Sequence, residues 1–170
     1  MASATAPKKA AARSRLAQKY PKYAGARQAG TAKDRARCRL IVTEGDSAAS
    51  MAKSGRSDVR FTGVVPLRGK LLNTRNVSKD SAETKMLAEL LGLEPGRRYE
   101  KADDVASLRY GELWIMTDQD VDGWHIAGLL LNWIDTRLPG LLQLKPGFVK
   151  IFATPLVVVG TRHFYSDIEF

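Results

Sequence analysis

The sequence predicts an α/β fold, a small parallel sheet flanked by helices. Two largely apolar runs, Arg39–Thr43 and Leu113–Met116, are each followed within two residues by acidic residues, and then by a glycine and a helical pattern. A short apolar run bounded by turn formers is typical of a buried parallel strand, although periodicity alone leaves a buried helical segment open. Strand and helix patterns then alternate as β–α–β–α–β–α–β, which favours a parallel sheet covered by helices.

The first strand, Arg39–Thr43, leads into Glu-Gly-Asp-Ser-Ala at residues 44–48. We expect Ser47 to cap a helix over Ala48–Lys53, because its hydroxyl can accept from the first free N–H groups. Glu44 then lies at the carboxyl end of a strand, where open α/β sheets carry their sites. An ordinary acid at a helix start, favoured by the helix dipole, is the alternative interpretation.

The second predicted strand, Phe61–Val65, is followed by Pro-Leu-Arg-Gly-Lys-Leu-Leu-Asn at residues 66–73. A glycine between two cations, Arg68 and Lys70, lets backbone and charge approach a phosphate together. Basic residues around a turn are more often simply solvated, so this motif alone is a weak signal.

The other predicted elements are a helix, a polar surface connection, a second helix and a last strand or strand pair. Glycine and helical spacing set their limits. The first helix is predicted over Ser81–Leu93, ending at Gly92 or Gly96, and the second helix over His125–Ile134. The polar connection is Glu94–Ser107, and the last strand or strand pair is Phe148–Ala153 with Leu156–Val159.

Three aspartates, Asp118, Asp120 and Asp122, follow the strand Leu113–Met116 at two-residue spacing. In an extended chain such residues share one face, whereas on a helix they point in different directions. Three like charges on one face repel each other unless a cation neutralises them, and a hard cation with oxygen ligands meets that need. A solvated acidic turn is the simpler alternative.

The pattern D-x-D-x-D-G is also the first half of an EF-hand calcium loop. If Asp118 takes the first position of that loop, the last position, which requires glutamate, falls on Leu129. The run before Asp118 is also strand-like, whereas an EF-hand loop follows a helix. These two observations exclude an EF-hand.

The net charge of +9 lies in the amino-terminal part of the chain. Residues 1–37 contain ten Lys or Arg and one acid, and the remaining 133 residues contain 17 basic and 17 acidic residues. Residues 1–17 lack aromatics and acids, a composition that cannot bury a core. A solvated tail, a nuclear-localisation patch, a nucleic-acid contact and a mitochondrial transit peptide all fit this arm.

Composition also sets the domain organisation. No apolar run approaches the length of a membrane span, and the single cysteine, Cys38, excludes an internal disulfide framework and a zinc ribbon. We divide the chain into a largely disordered basic arm and lead-in loop over residues 1–37, one α/β domain over residues 38–160, and the start of a further segment over residues 161–170.

Four motifs together resemble the Toprim domain of type IIA DNA topoisomerases. They are TEGDSA at residues 43–48, PLRGKLLN at 66–73, LRYG at 108–111, and MTDQDVDG at 116–123 followed by Trp and His-Ile. The resemblance covers roughly Arg39 to Val159 and implies a Rossmann-like sheet. The first and last motifs look closer to the eukaryotic and large-DNA-virus enzymes than to bacterial gyrase.

The resemblance implies a role for each motif position. Glu44 matches an acid that approaches a metal ion and acts as general acid and base at the leaving ribose oxygen. Asp118, Asp120 and Asp122 match the other metal carboxylates, and the expected ion is Mg²⁺, with Mn²⁺ as a substitute. Arg68 and Lys70 are expected to assist catalysis beside the cleavage point. The residues expected to contact DNA are Arg68, Lys70, Asn73 and His125.

The resemblance also implies partners that these 170 residues do not supply. Double-stranded DNA is the expected substrate, and a membrane is not an expected partner. We expect the nucleophilic tyrosine on a winged-helix segment and ATP binding on another domain, in a homodimeric or split enzyme. The expected location is the nucleus or a site of viral DNA replication, with the mitochondrion as an alternative. The isolated chain should not relax DNA.

Two other functions fit the same motifs. A free-standing Toprim nuclease or primase-like protein would use metal-bound water, but PLRGK and LRYG would then have no explanation. A DNA-binding module with an inactive metal site would rely on the basic arm.

Two positions need separate interpretation. Trp124 stands where the family usually has a small residue, and its ring is expected to crowd the DNA groove, stack on a base or turn into the helix interface. The pair Arg109-Tyr110 resembles the arginine and tyrosine of the nucleophile, but it falls in LRYG, just before the acidic strand. We therefore expect a structural role for Tyr110.

Overall fold

The computed structural model describes residues 15–68 and 71–165. The strands are β1 (Arg39–Thr43), β2 (Thr62–Pro66), β3 (Glu112–Met116), β4 (Val149–Ile151), β5 (Val157–Val159) and β6 (Arg162–Phe164). The helices are α1 (Asp46–Gly55), α2 (Ala82–Leu91), α3 (Val121–Arg137) and α4 (Leu141–Leu144), and short 3₁₀ turns cover Arg35–Arg37 and Ala102–Val105. Residues 15–19 are also helical.

Strands β1 to β4 form a parallel sheet in the order β2-β1-β3-β4. Strand β1 lies at the centre, and its last residue, Thr43, is opposite Pro66 of β2 and Met116 of β3. The chain leaves β1 toward β2 on one side and returns to β3 on the other. The predicted α/β fold with a parallel sheet flanked by helices is therefore confirmed.

The two faces of the sheet bury different sets of side chains because successive residues of a strand point to opposite faces. Leu40 and Leu113 belong to the larger cluster, which also contains Trp133 of α3 and the buried side chains of α2. Ile41 belongs to a smaller cluster under α1. Full burial of a large apolar side chain contributes about 1.5–3 kcal/mol, so the larger cluster dominates stability.

Capping residues set the ends of α2, which is one residue shorter at its start and two residues shorter at its end than the predicted range Ser81–Leu93. The Ser81 hydroxyl accepts a hydrogen bond from the Thr84 N–H at 3.1 Å, which satisfies one free donor of the first turn. Gly92 follows the helix at φ 73°, a left-handed conformation that closes helices with little strain in glycine.

The starts of α1 and α3 differ from the prediction. Helix α1 begins at Asp46, after Gly45, and no side chain caps it, so the cap predicted for Ser47 is wrong. Helix α3 begins at Val121, four residues before the predicted start, because Asp120 caps it.

The lead-in before β1 is packed against the sheet, in contrast to the largely disordered segment predicted through residue 37. Ala24 pairs with Val64 on the open edge of β2 through two backbone hydrogen bonds of 2.9 Å. The hydroxyls of Tyr23 and Tyr110 are 2.5 Å apart, and the Ala26 N–H donates to the Tyr110 hydroxyl at 3.0 Å. The lead-in therefore covers a strand edge that would otherwise be open to other chains. Residues 1–14, the rest of the predicted arm, lie outside the described residues.

Two further predictions are corrected outside the central sheet. Strands β5 and β6 pair as an antiparallel hairpin, so the boundary predicted after residue 160 falls inside one element. Residues 166–170 lie outside the described residues. The predicted polar connection over Glu94–Ser107 contains Tyr99, which is buried and accepts a hydrogen bond from the Glu94 N–H at 3.0 Å. No helix in residues 15–68 and 71–165 is long and apolar enough to cross a membrane.

The hydroxyl of Tyr110 provides a test of the lead-in contact. Tyr110→Phe leaves the Tyr23 hydroxyl and the Ala26 N–H without this buried partner, which should lower the free energy of unfolding by about 1–3 kcal/mol. Urea unfolding measures this change, and cleavage in the lead-in by a dilute protease should become faster. The same hydroxyl removal at the exposed Tyr165 is the control, and equal losses in the two variants would contradict the account.

Candidate metal centre at the ends of the central strands

The acidic residues meet where the two central strands end. Because Thr43 lies opposite Met116, the residues that follow β1 and β3 leave the sheet side by side. Glu44 follows β1 directly, and Asp118 lies two residues beyond β3. This is the point at which the strand order reverses, and open α/β sheets bind ligands there.

Glu44 is held in a sharp turn. Gly45 adopts φ 122° and ψ −176°, a region of backbone conformation that is essentially restricted to glycine. The Thr43 hydroxyl, which is buried, donates to the Gly45 carbonyl at 3.0 Å and fixes the turn. One carboxylate oxygen of Glu44, Oε2, is buried and has no hydrogen-bond partner.

The three aspartates come together in a different way from the one predicted. The extended chain ends at Met116, so the aspartates do not share one face of a strand. Asp118 lies in the loop, Asp120 is the N-cap of α3, and Asp122 is in its first turn. All three are exposed on the side of the site that faces solvent.

Asp120 is oriented by the helix that it caps. Its Oδ1 accepts the N–H of Gly123 at 2.8 Å, and its backbone carbonyl accepts the N–H of Trp124 at 3.0 Å. A carboxylate at a helix N-terminus is also stabilised by the helix dipole. This carboxylate is therefore held in position before any ligand binds.

The electrostatics of the site centre on Glu44. Burial, which disfavours the charged carboxylate, is the main cause that raises the pKa of Glu44 above its ordinary value. The negative charges of the three aspartates raise the pKa of Glu44 further, while the nearby backbone N–H of Asp118 lowers it. Ionisation of Glu44 is therefore disfavoured unless positive charge is present beside it.

The donor set fits a hard divalent cation. Carboxylate oxygens are the ligands that Mg²⁺ and Mn²⁺ prefer, and the buried Oε2 of Glu44 has no other partner. Within residues 15–68 and 71–165, no three acidic, histidine or cysteine side chains are placed so that they could hold one metal ion as they stand. The described residues thus have the ligand types of a metal site, but they are not arranged as a complete coordination sphere.

A cleft of about 750 Å³ connects two of the four acidic residues with predicted DNA-contacting residues. Glu44 and Asp122 line it together with Arg68, Asn73 and His125. The remaining lining is apolar and consists of Leu67, Leu71, Ile126 and Leu129. The structure therefore brings five of the predicted site residues to one cleft, while Lys70 lies outside the described residues.

Asn73 joins the loop after β2 to helix α3. Its Oδ1 accepts the Nδ2 of Asn132 at 2.7 Å and the backbone N–H of Arg75 at 3.2 Å. Asn73 therefore ties its own segment to α3, in addition to lining the cleft.

Tyr110 is unsuitable as a nucleophile. It is fully buried, and its hydroxyl is held by Tyr23 and Ala26. The structural role predicted for this residue agrees with its place in the core.

Sequence reasoning missed the part played by Gly123. A Cβ at this position would lie 2.0 Å from the carbonyl oxygen of Asp118, so only glycine lets α3 start against the acidic loop. The sequence does show a glycine directly after the third aspartate. That glycine is required only because Gly123 lies against the Asp118 carbonyl, a contact that residue spacing does not reveal.

The turn at Gly45 gives a test of the site geometry. Gly45→Ala should lower the free energy of unfolding by about 1–3 kcal/mol, because alanine is strained at φ 122° even though the space for its methyl group is open. Gly55→Ala is the matched control, since its position is also open and lies at the end of a helix, and there alanine should be neutral or stabilising. Chemical denaturation of both variants measures the difference, and an unchanged stability of Gly45→Ala would contradict the strained turn.

The chain is similar in sequence to one protein family and to several known enzymes. The family model described as Toprim domain matches residues 39–154. DNA topoisomerase 2 of Candida glabrata is 49% identical over an alignment of 146 residues, and the match covers 82% of this chain and 10% of that protein. DNA topoisomerase 2 of Acanthamoeba polyphaga mimivirus is 46% identical over an alignment of 145 residues, and that match covers 82% of this chain and 11% of that protein.

The fold comparison agrees with the sequence comparison. A crystal structure of the Plasmodium falciparum topoisomerase II DNA-binding, cleavage and re-ligation domain matches with a TM-score of 0.76 and 42% identity. The match covers 88% of this chain and 21% of that one. The chain spans about a tenth of the length of the curated relatives above. The resemblance predicted from the motifs is confirmed, and the chain belongs to the Toprim family, in a form similar to that of fungal and viral type II DNA topoisomerases.

Proposed function

We propose that this chain is the metal-binding part of a type II DNA topoisomerase. It supplies a divalent ion and a general acid and base for cleavage and religation of double-stranded DNA by a tyrosine on another segment. One observation carries the proposal. Glu44, with a buried and unpartnered carboxylate oxygen, lies beside three aspartates at the switch point of the sheet.

Glu44 has the properties of a proton-transfer group. Its raised pKa brings the carboxyl closer to neutral pH, where an acid–base group transfers protons most effectively. Its protonated carboxyl donates a proton to the leaving ribose oxygen during cleavage, and its carboxylate takes the proton back during religation. The turn at Gly45 holds the group at the rim of the cleft for both steps.

Asp118, Asp120 and Asp122, with Glu44, are the residues that would hold the ion. Mg²⁺ is the proposed ion and Mn²⁺ its substitute, and when bound it stabilises charge on the scissile phosphate and the leaving oxygen. Asp120 keeps its orientation through its bond to Gly123, so this ligand needs little reorganisation.

The basic residues of the cleft bind the DNA backbone. Arg68 and His125 line the same cleft as Glu44, which supports a contact with phosphates beside the cleavage point. Lys70 acts with Arg68 from the same loop. Asn73 lines the same cleft and is proposed to contact DNA there, and its hydrogen bond with Asn132 keeps its segment docked on α3.

The remaining activities belong to other segments of the enzyme. We place the tyrosine on a winged-helix segment and ATP binding on a separate domain, in a homodimeric or split enzyme. The enzyme acts in the nucleus or at a site of viral DNA replication, and a mitochondrial location is compatible with the basic arm. The similarity to topoisomerases that are much longer than this chain supports this assignment.

Calorimetric titration with Mg²⁺ tests the metal assignment. The variant Asp118→Asn, Asp120→Asn should lose binding, and asparagine at position 120 preserves the cap of α3. In the wild type, Mg²⁺ at 100 times its dissociation constant should add about 2.7 kcal/mol to the free energy of unfolding. Each titration is repeated with a nicked DNA duplex, because bound DNA supplies phosphate oxygens to the ion.

The control is Glu100→Gln, Asp103→Asn, which removes the same charge from two exposed acids before β3. It should bind Mg²⁺ like the wild type. The metal assignment fails if the wild type binds no Mg²⁺ with or without DNA, or if both double variants bind it equally. Cutting of an intact duplex by this chain alone would instead favour a free-standing nuclease.

A further inference from the structure

Gly128 is a glycine that the packing of the chain does not require. It lies inside α3 and is exposed, and a Cβ at this position would meet nothing within 4 Å among the described residues, apart from its own helical turns. Glycine destabilises the interior of a helix relative to alanine, because it loses more backbone freedom on folding. Gly123 in the same helix differs, since a Cβ there would strike the Asp118 carbonyl. The space beside Gly128 is therefore open to a ligand that approaches the helix backbone closely.

Gly128 lines a groove that continues the cleft at the carboxylates. This groove has a volume of about 800 Å³ and shares three lining residues with the cleft, namely Asn73, His125 and Leu129. Its other lining residues are Arg75, Gly128, Leu131, Asn132, Asp135 and Leu142. A polymer bound in the cleft beside Glu44 can therefore pass His125 and continue along α3.

The wall opposite α3, formed by residues 73–75, is fixed in position. The Oδ1 of Asn73 accepts the Nδ2 of Asn132 at 2.7 Å, and the Oδ1 of Asn132 in turn accepts the hydroxyl of Thr136 at 3.2 Å. The Arg75 backbone N–H donates to the same Asn73 oxygen at 3.2 Å. These hydrogen bonds hold the groove open before any ligand binds.

Arg75 supplies positive charge to the groove. Its guanidinium is 3.5 Å from the carboxylate of Asp135, and the two side chains are 67% and 57% exposed. An ion pair this exposed contributes little to stability, because water screens it, so Arg75 can exchange its partner for another anion at little cost. A guanidinium can also donate two parallel hydrogen bonds to one phosphate group.

The composition of the groove favours a nucleic-acid backbone over a protein helix. Five of its nine lining residues are polar or charged, whereas a packed helix needs a continuous apolar stripe on its partner. A sugar–phosphate backbone instead needs room for close approach, which Gly128 provides, and a phosphate ligand, which Arg75 provides.

We infer that one strand of the DNA continues from the carboxylates along α3, with its backbone against Gly128 and one of its phosphates on Arg75. This inference rests on the proposed function and adds two positioning residues to it. From His125 to Asp135 the helix rises about 15 Å. At roughly 3.4 Å of axial rise per nucleotide, the groove holds about four nucleotides beyond the cleft.

Gly128→Ala should change stability and DNA affinity in opposite directions. Alanine should raise the urea midpoint of unfolding, because it favours a helix interior and its methyl group meets no neighbour. The same methyl group should weaken binding of a nicked, end-labelled DNA duplex by roughly 5- to 150-fold, the usual effect of one extra group in a packed contact. Fluorescence anisotropy in the presence of Mg²⁺ measures the affinity.

Gly55→Ala is the matched control for this variant. Gly55 is also exposed, helical and in open space, but it is not among the described residues that line either the cleft or the groove. Its DNA affinity should equal that of the wild type.

Arg75→Gln tests the phosphate contact separately. Loss of one phosphate contact should reduce the slope of log affinity against log salt concentration by about 1. The control is Arg98→Gln, because Arg98 forms a similarly exposed ion pair with Glu100 at 3.4 Å and lies outside the lining of both the cleft and the groove. This control should keep the wild-type slope.

Every other outcome overturns the inference. Wild-type DNA affinity in Gly128→Ala, or an unchanged salt slope in Arg75→Gln, refutes the path along α3, leaves the proposed function intact and makes a protein segment the better ligand of the groove. Weaker binding by a less stable Gly128→Ala shows a folding defect and refutes the close approach. Failure of the wild type to bind the duplex refutes this inference together with the DNA-binding part of the proposed function, while the Mg²⁺ titration still reports on the metal site.

Discussion

The parallel pairing of β1 with β3 is the constraint on which the site depends. It sets Thr43 beside Met116, and thereby brings Glu44 next to a loop that is more than 70 residues later in the sequence. The strand order places this pair at the switch point of the sheet, with α1 leaving from one strand and α3 from the other. The acidic residues thus come from two separate motifs and meet because of topology.

The negative charges of the site lie beside two glycines at which the backbone conformation is restricted. Gly45 is held in a conformation that suits glycine alone, and Gly123 is in contact with the Asp118 carbonyl, so neither acidic segment can move away easily. Glu44 is consequently kept beside like charges, with one oxygen buried and unpartnered. The repulsion and burial of these carboxylates lower the free energy of unfolding of the free protein, and binding of a cation raises it.

The sequence was sufficient for features that depend on local pattern. Strand β1 matched its predicted range, and α2 ends before Gly92, one of the two glycines predicted to stop it. The motifs around Glu44 and Asp118 identified the family because their residue types and order are specific. Predictions from local pattern were wrong where one side chain sets the end of an element. Asp120 caps α3, so the helix begins four residues before the predicted start.

Long-range contacts were beyond the reach of sequence reasoning. The packed lead-in depends on the Tyr23–Tyr110 contact and on the pairing of Ala24 with Val64, and neither has a local signal. Tyr99 is likewise buried inside a segment of polar composition. The exposure of Trp124, which counts against a place for its ring in the helix interface, also depends on the position of α3 on the sheet.

The most direct test of the account is the pH dependence of stability of Glu44→Gln and the wild type, measured by urea unfolding with and without Mg²⁺. Because the pKa of Glu44 is raised, ionisation should cost the wild type stability as the pH rises through and above about 4.5. The two proteins should be equally stable at lower pH, and Glu44→Gln should be more stable at neutral pH without metal. Mg²⁺ should stabilise the wild type more than the variant.

Glu89→Gln provides a control of opposite sign. Its hydrogen bond with Lys19 is the main cause that lowers the pKa of Glu89, so its ionised form stabilises the protein above the ordinary pKa and that contribution is lost in acid. This variant should therefore be less stable than the wild type at neutral pH. If Glu44→Gln is also less stable at neutral pH without Mg²⁺, or gains as much from Mg²⁺ as the wild type, Glu44 is not part of a charge-strained metal site and the account is contradicted.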